Sequence, residues 1–532
     1  MRRWIVVAIL PMFLATLNAG AAPQEQKFRR LPVKEYRDKM KAGWIGQMAG
    51  VGWGGPTEFR WKGEIIPADQ MPEWKPERVN QFHQDDIYVE MTFVRTMELY
   101  GLYPPIRQAG IDFANSGYPL WHANRAGRTN LRNGIAPPDS GHPKFNTHAD
   151  DIDYQIEADF SGLLAPGLPN TAIQLGEIFG RLMNYGDGLY GGQFVGGMYA
   201  EAFFEKDPEK IVRAGLACIP EGSQYAECIR DVLKWHDANP NDWQATWRKI
   251  EAKYQDNHDY RKFSCGGPQS DFNIDAKING AYIVMGLLYG DGDPDKTIVI
   301  STRCGQDSDC NPANSGGILF TTMGFSNLPE RYKSALDEDT MFTHTAYNFQ
   351  KLIRVSDMIV RGAVVDAGGR IERDENNELV FVIPVQEPQP SPLEQCWEPG
   401  PIAGSKFTEE EMAKITAGQG RDMREAIGKF APDWTVKLCG DDMNPGLRDE
   451  LGRKNILVTH PLNPNTACVL TRKVELPADK QTALHLVVGH HPKGDWKLIV
   501  KANDKTMFDK VIGPEARIFR HASNCLRGAR NA

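Results

Sequence analysis

The feature that most constrains this chain is a run of small residues spaced for helices. Between Gly192 and Phe204, Gly192, Gly196 and Ala200 recur every four positions. On a helix they form one flat stripe, against which a neighbouring backbone can approach closely. Ala276 to Tyr289 has the same character, and Ile318 to Met323 continues a third helix. Glu35 to Ala49 reads as an amphipathic helix, and Ile87 to Tyr100 as one apolar on most sides and largely buried. Many closely packed helices imply an all-α orthogonal helical bundle from about Val33 to Arg361.

The pattern changes after Arg361. Gly368 to Ile383 reads as two strands around an Asn376-Asn377 turn, and Pro384 to Pro392 as a Pro-rich linker, so 362–394 is expected to be hairpin plus linker. Beyond Gln395, Asn455–Thr459, Cys468–Leu470, Ala483–Val488 and Trp496–Val500 alternate with turn residues. They predict a smaller β-sandwich-like C-terminal domain over 395–532, with a loose tail from Asn524. A length of 532 residues also favours more than one domain.

At the other end, Arg2 and Arg3 precede an apolar run from Trp4 to Leu17 and then Ala19-Gly20-Ala21-Ala22. This is the order of a cleavable secretory signal over residues 1–22, and it predicts an exported protein, periplasmic or extracellular. The apolar run is short for a bilayer span, and no later stretch is long and apolar enough for stable membrane insertion. A net charge of -8, without a dense basic run beyond the first thirty residues, argues against nucleic acid as partner. The nine scattered cysteines contain no C-x-x-C pair, and most read as small buried hydrophobes. The sequence gives no oligomeric state.

Chemistry concentrates in two acidic pairs. Gln84-Asp85-Asp86-Ile87 opens the buried helix. Cys304-Gly305-Gln306-Asp307-Ser308-Asp309-Cys310 opens another, with Pro312 suited to its first turn. Either pair alone reads as helix capping. Both, however, abut apolar or Gly-rich helices, where uncompensated carboxylates are costly. Four converging carboxylates require a cation, and oxygen ligands suit magnesium, manganese or calcium. Upstream lie Gly46-Gln47-Met48-Ala49-Gly50 and then Glu58.

In order and spacing, these three motifs resemble the signatures of the ADP-ribosylglycohydrolase family: G-x-x-x-G-D followed by Glu, a T-D-D-T metal motif, and a late G-G-D-T-D-T motif opening a Gly-rich helix, here Ser315-Gly316-Gly317. The resemblance implies an all-helical fold with two magnesium ions in a central cleft. Asp85, Asp86, Asp307 and Asp309 would be the metal ligands. Glu58 would be the catalytic or gating glutamate, protonating the leaving atom or activating water. The chain departs from the family at Val51, in place of the motif's Asp, and at Gln84 and Cys310, in place of threonines. Gln84 still offers an amide oxygen to a hard ion, whereas the Cys310 sulfur is softer than magnesium prefers.

A third acidic patch runs from Asp150, Asp151 and Asp153 to Glu157 and Asp159. Asp150, Asp151, Asp153 and Asp159 are candidate substrate contacts, to sugar hydroxyls or a metal-bound water, against the alternative of a solvated, capped helix start. Asp159 falls beside an apolar stripe and needs a partner. Tyr185-Gly186-Asp187-Gly188 reads as a turn.

The expected function is metal-dependent hydrolysis of a glycosidic bond to ribose or a related sugar, with a small-molecule or glycan substrate. ADP-ribose conjugates are the family's usual class, while export favours an extracellular glycoside. The alternative is a non-catalytic binding or structural member of the fold.

Overall fold

In a computed structural model, residues 26–415, 421–440, 445–450, 453–461, 465–475, 484–490, 495–513 and 519–522 are described. The expected signal segment 1–22 and the tail from Asn524 lie outside them. The chain divides into two compact units, Met1–Arg421 and Asp422–Ala532.

The first unit is mostly helical, and its centre is a pair of helices, Val33–Gly54 and Cys310–Met323. A glycine ladder sets how close they come. A Cβ on Gly46 would meet the Gly316 carbonyl oxygen at 2.4 Å, one on Gly50 the Pro312 carbonyl at 2.3 Å, and one on Gly54 the Ser308 carbonyl at 2.0 Å. Gly46-x-x-x-Gly50 is therefore a packing device. Only hydrogen fits between the two backbones, and their closeness delivers the 306–309 turn to the end of the first helix. The expected stripe is likewise used: on the Asp187–Ala202 helix, Gly192 lies against Tyr154 and Gly196 against Ser161.

The helix expected over the third acidic patch is two short ones, Asp153–Ile156 and Asp159–Leu163. The Asp85–Tyr100 helix buries Ile87, Val89, Phe93, Val94 and Met97 in the main core, as its composition requires. Among the described residues no helix is long and apolar enough to cross a membrane.

Among its described residues the unit also contains a three-stranded sheet, in which the expected hairpin gains a strand, Phe28–Pro32, that the sequence reading did not include. β1 (Phe28–Pro32), β2 (Arg370–Arg373) and β3 (Leu379–Pro384) pair antiparallel in the order β1-β3-β2. The β2–β3 turn forms where expected: Asn377 takes a left-handed φ of 64° and Asp374 accepts the Asn376 N–H.

The stretch read as a linker is a strap on the helical body. Asn170 Oδ1 accepts the Gln389 N–H at 2.7 Å, Tyr190 donates to the Pro392 carbonyl at 2.7 Å, and Arg181 pairs with Glu394 at 2.5 Å. Cys396 is buried against Tyr185. The unit boundary thus falls near Arg421 and not at 394/395. Polar composition suggested a linker because it does not reveal that the polar groups find partners on the body.

The second unit is strand-rich: β4 (Thr435–Lys437) pairs β7 (Val469–Thr471), β5 (Gly446–Glu450) pairs β6 (Arg453–Val458), β8 (His485–Val488) pairs β11 (Phe519–Ala522), and β9 (Trp496–Ala502) pairs β10 (Lys505–Ile512), all antiparallel.

Candidate metal centre

Three chain segments meet at the end of the glycine ladder. The first is the turn after Gly54, carrying Glu58. It is stitched to the late motif by backbone bonds in both directions, Phe59 N–H to the Gln306 carbonyl at 3.0 Å and Gln306 N–H to the Trp61 carbonyl at 2.9 Å, and by Thr57 to Ser308 hydroxyls at 2.8 Å. Phe59 and Gln306 hold positive φ of 49° and 54°. Such backbone is uncommon outside glycine and is tolerated where surrounding bonds fix it.

The second segment is the Gln306–Cys310 turn. Asp307 and Asp309 are each 2 % exposed, and with Cys310 their donor atoms lie within 4.8 Å of one another. Asp309 combines two roles, because its Oδ1 also accepts the Cys310 N–H at 3.1 Å and so caps the helix. The third segment is the start of the Asp85–Tyr100 helix. Gln84 is its N-cap, and its carbonyl accepts the Tyr88 N–H at 3.0 Å.

The electrostatics of this meeting point are unfavourable as it stands. Asp86 is fully buried, and neither of its carboxylate oxygens has a hydrogen-bond partner. Asp307 Oδ1 is in the same position. Burial first, and then Asp85 and Asp309, push the Asp86 carboxyl well above the carboxylate range, although the nearby Cys310 thiol opposes it. Burial, then Glu58 and Asp86, do the same to Asp307, although the Asp309 contact opposes it; burial, then Asp307, raises Asp309. Asp85 is raised less, because backbone N–H groups of the first helical turn oppose its desolvation.

Glu58 keeps solvent contact at the edge of the cluster. Its carboxyl is nonetheless raised to about 8, by partial desolvation and then by Asp309 and Asp85. Cys310 is a buried thiol, raised by burial and by Asp307 and Asp309.

Buried carboxylate oxygens without partners are expensive unless a cation or proton meets them. The set Asp85, Asp86, Asp307 and Asp309 therefore fits hard divalent ions, with oxygen donors of the type magnesium takes.

A second layer continues the acidity. Glu90, one turn after Asp86, accepts from Gln47 at 2.7 Å and from the Phe160 N–H at 3.1 Å. Asp159 has the partners its position demanded: Tyr199 O–H at 2.6 Å and Asn314 Nδ2 at 2.6 Å. These hold its carboxyl at about 7 against desolvation. Asn314 stands one helical turn beyond Cys310, so Asp159 braces the helix that carries the late motif.

Asp153, raised to about 8 by burial and then by Asp151, accepts the Ala123 N–H at 3.0 Å. Glu157 lies between Asp153 and the Asp85-Asp86 pair. It is fully buried and accepts from Asn124. The patch is therefore not a solvated helix start.

The structure does not bring Asp150 into this group. It is 1 % exposed and pairs with the buried Lys277 at 3.2 Å, beside Asp275 and Asp187 at 3.6 and 3.9 Å from the same ammonium. Asp187, read from sequence as part of a turn, thus belongs to a buried ion cluster. Lys277 carried no sequence signal, since it sits inside an otherwise apolar helical run. Asp151, fully buried, bonds His148 at 2.7 Å.

Sequence reading also missed the aromatic surroundings. Phe59, Phe272 and His122 form a row with centroid spacings of 5.0 and 5.5 Å. His83, Tyr88, Tyr118 and His344 form a second group beside Asp85. No spacing links these residues in sequence.

A family model described as ADP-ribosylglycohydrolase matches residues 32–362. Among solved structures, a chain titled "ADP-ribosylglycohydrolase-related protein complex" is similar at a TM-score of 0.39 and 14% identity, covering 62% of this chain and 99% of that one. No curated protein matches the chain. With more than half of its length matched by the family model, this chain belongs to the ADP-ribosylglycohydrolase family.

Proposed function

We propose that the chain is an exported, divalent-metal-dependent hydrolase of a glycosidic bond to ribose or a related sugar, acting on a small glycoside, glycan or ADP-ribosyl conjugate. Family membership supports glycohydrolase chemistry. The observation that carries the metal dependence is the fully buried Asp86 carboxylate with two unpartnered oxygens among three further aspartates. Asp85, Asp86, Asp307 and Asp309 would hold magnesium, with two ions the reading the family implies and manganese or calcium as alternatives. When bound, such ions neutralise the cluster and grip vicinal sugar hydroxyls.

The chain's own contribution is clearest at Glu58. It is accessible, it adjoins the aspartates, and desolvation is the largest cause of its raised pKa. A carboxyl held protonated near neutrality can give its proton to a leaving atom, and afterwards accept one from water. The stitched backbone around Phe59 and Gln306 fixes where that proton stands. The aromatic row beginning at Phe59 would offer apolar ring surface to a sugar or base. In this reading Asp153, the least buried of the third acidic patch at 6 % exposed, would meet sugar hydroxyls, whereas Asp150 and Asp159 would act through Lys277 and Asn314 as positioning residues.

The test is a screen of ribosides, other glycosides and ADP-ribosyl conjugates, with magnesium and with EDTA, on the wild type and on the Asp307→Ala, Asp309→Ala double variant. Turnover requiring magnesium and lost in the folded variant supports the reading. Full turnover in EDTA, or in the variant, overturns it.

A further inference from the structure

A second cluster shares none of the four aspartates and has different donors. His122, His148, Asp151 and Cys265 place one ligand atom each so that all lie within 4.8 Å of one another. They come from three separate segments. His122 opens the His122–Arg132 helix, His148 and Asp151 share the turn before the Asp153–Ile156 helix, and Cys265 lies in the loop after Arg261.

That loop is held firmly. Arg261 is 1 % exposed and donates to the Ser270 carbonyl at 2.8 Å, the Phe272 carbonyl at 3.0 Å and Ser264 Oγ at 3.1 Å. The Asp151 turn is held as well, by Ile152 N–H to the Ile274 carbonyl at 3.0 Å and Ala276 N–H to the Asp150 carbonyl at 2.9 Å.

Two polar atoms here lack partners. Asp151 Oδ1 is one, on a side chain that is fully buried, and His122 Nδ1 is the other. His122 Nδ1 stands 3.8 Å from Asp151 Oδ2. Bonds of about 2.0–2.3 Å in a tetrahedron put ligand atoms about 3.3–3.8 Å apart, so small movements complete a shell. The 2.7 Å His148–Asp151 hydrogen bond is the contact that must open.

We propose that His122, His148, Asp151 and Cys265 form a second metal site, selective for a zinc-class transition ion and distinct from the oxygen-donor centre. Two imidazoles and a thiolate favour zinc or cobalt over magnesium. Three of the four residues are only partly buried, which leaves an ion a path in. The Phe59–Phe272–His122 row ends on one ligand, so an ion here would fix the outer end of the aromatic face. This inference does not depend on the hydrolase reading.

The test is cobalt(II) titration of the full chain, stripped of metal and kept in excess magnesium. One equivalent should give a sulfur-to-cobalt charge-transfer band and intense tetrahedral bands, both erased by zinc. Cys265→Ser should remove the charge-transfer band. His148→Ala should weaken zinc binding by more than about 100-fold, the most that losing an outer partner costs. The Asp307→Asn, Asp309→Asn double variant should keep the band. Melting and circular dichroism without metal confirm that each variant is folded, and Cys265→Ser decides if His148→Ala is not. Absence of the band in the wild type overturns the proposal. So does its survival in Cys265→Ser, or its loss in the double variant, which would place the ion at Cys310.

Discussion

Asp86→Asn should make the metal-free protein more stable and the magnesium-loaded protein less responsive. Asp86 is fully buried with both oxygens unpartnered, and its carboxyl is raised well above the usual range by burial and by Asp85 and Asp309. In EDTA at neutral pH the fold must either keep that charge without a partner or bind a proton. Leaving a buried polar atom unsatisfied costs about 1–3 kcal/mol, more for a charge, so relieving Asp86 is worth about 2–5 kcal/mol. A body of about 400 residues has an unfolding entropy of about 0.8 kcal/mol per kelvin. The variant should therefore melt about 2.5–6 °C above wild type in EDTA. Magnesium at a hundredfold excess over its Kd adds about 2.7 kcal/mol to the wild type, or about 3 °C per ion. The variant, missing a ligand, should gain a fraction of that. Scanning calorimetry in EDTA and in a magnesium series reads both shifts. A variant that melts below wild type in EDTA, or gains the full magnesium increment, would refute the reasoning.

Four further outcomes are expected. Metal-free stability should fall between pH 6 and 8: Asp153 and Glu58, each raised to about 8, and Asp159, raised to about 7, bind more protons folded than unfolded across that window; melting temperatures in EDTA that rise with pH there would contradict it, and magnesium should flatten the slope. Glu58→Gln should lower turnover about 100- to 10,000-fold while keeping the wild-type magnesium-induced rise in melting temperature, since its neighbours and not Glu58 would hold the ion. Cys310→Ser replaces a soft atom by a hard one beside Asp307 and Asp309, so calorimetric magnesium affinity should tighten by up to about tenfold, or ~1.4 kcal/mol. Gly50→Ala puts a Cβ 2.3 Å from the Pro312 and Ala313 backbone; overpacking should cost about 1–3 kcal/mol and weaken magnesium binding, because the displaced helix carries the late motif.

How far the sequence revealed this depended on the range of the interactions. Helices were visible because their signals are local, and the Gly192, Gly196 and Ala200 stripe announced close packing three or four residues at a time. The pairs Asp85-Asp86 and Asp307-Asp309 were visible as motifs, and they meet as the family order implied. Their unpartnered burial was not visible, because no local pattern reports which oxygens find donors. The strap from Pro384 to Cys396 was misjudged for the same reason, since Asn170, Tyr190 and Arg181 partner it from more than two hundred residues away. Asp150 illustrates the limit most sharply. It shares a run with Asp151 and Asp153, yet only the fold shows that it faces Lys277.

The arrangement of acids in the body also has a logic that no single motif contains. Glu58, Asp85, Asp86, Asp307 and Asp309 adjoin Glu90, Asp159 and Glu157, and Glu157 adjoins Asp153, which adjoins Asp151 and then the Asp150–Lys277 cluster. A continuous buried line of carboxylates is costly to fold around, and hydrophobic packing elsewhere must support it. The members of the line differ in how they are compensated. Asp159 has a side-chain donor on each oxygen, whereas Asp150, Asp151 and Glu157 each have one oxygen partnered and one without a partner. Asp86 and Asp307 have oxygens with none. Asp86, the one described carboxylate with both oxygens buried and unpartnered, stands where the glycine ladder brings two helix ends together and where Glu58 reaches solvent, which is where an ion can enter and a substrate can meet it.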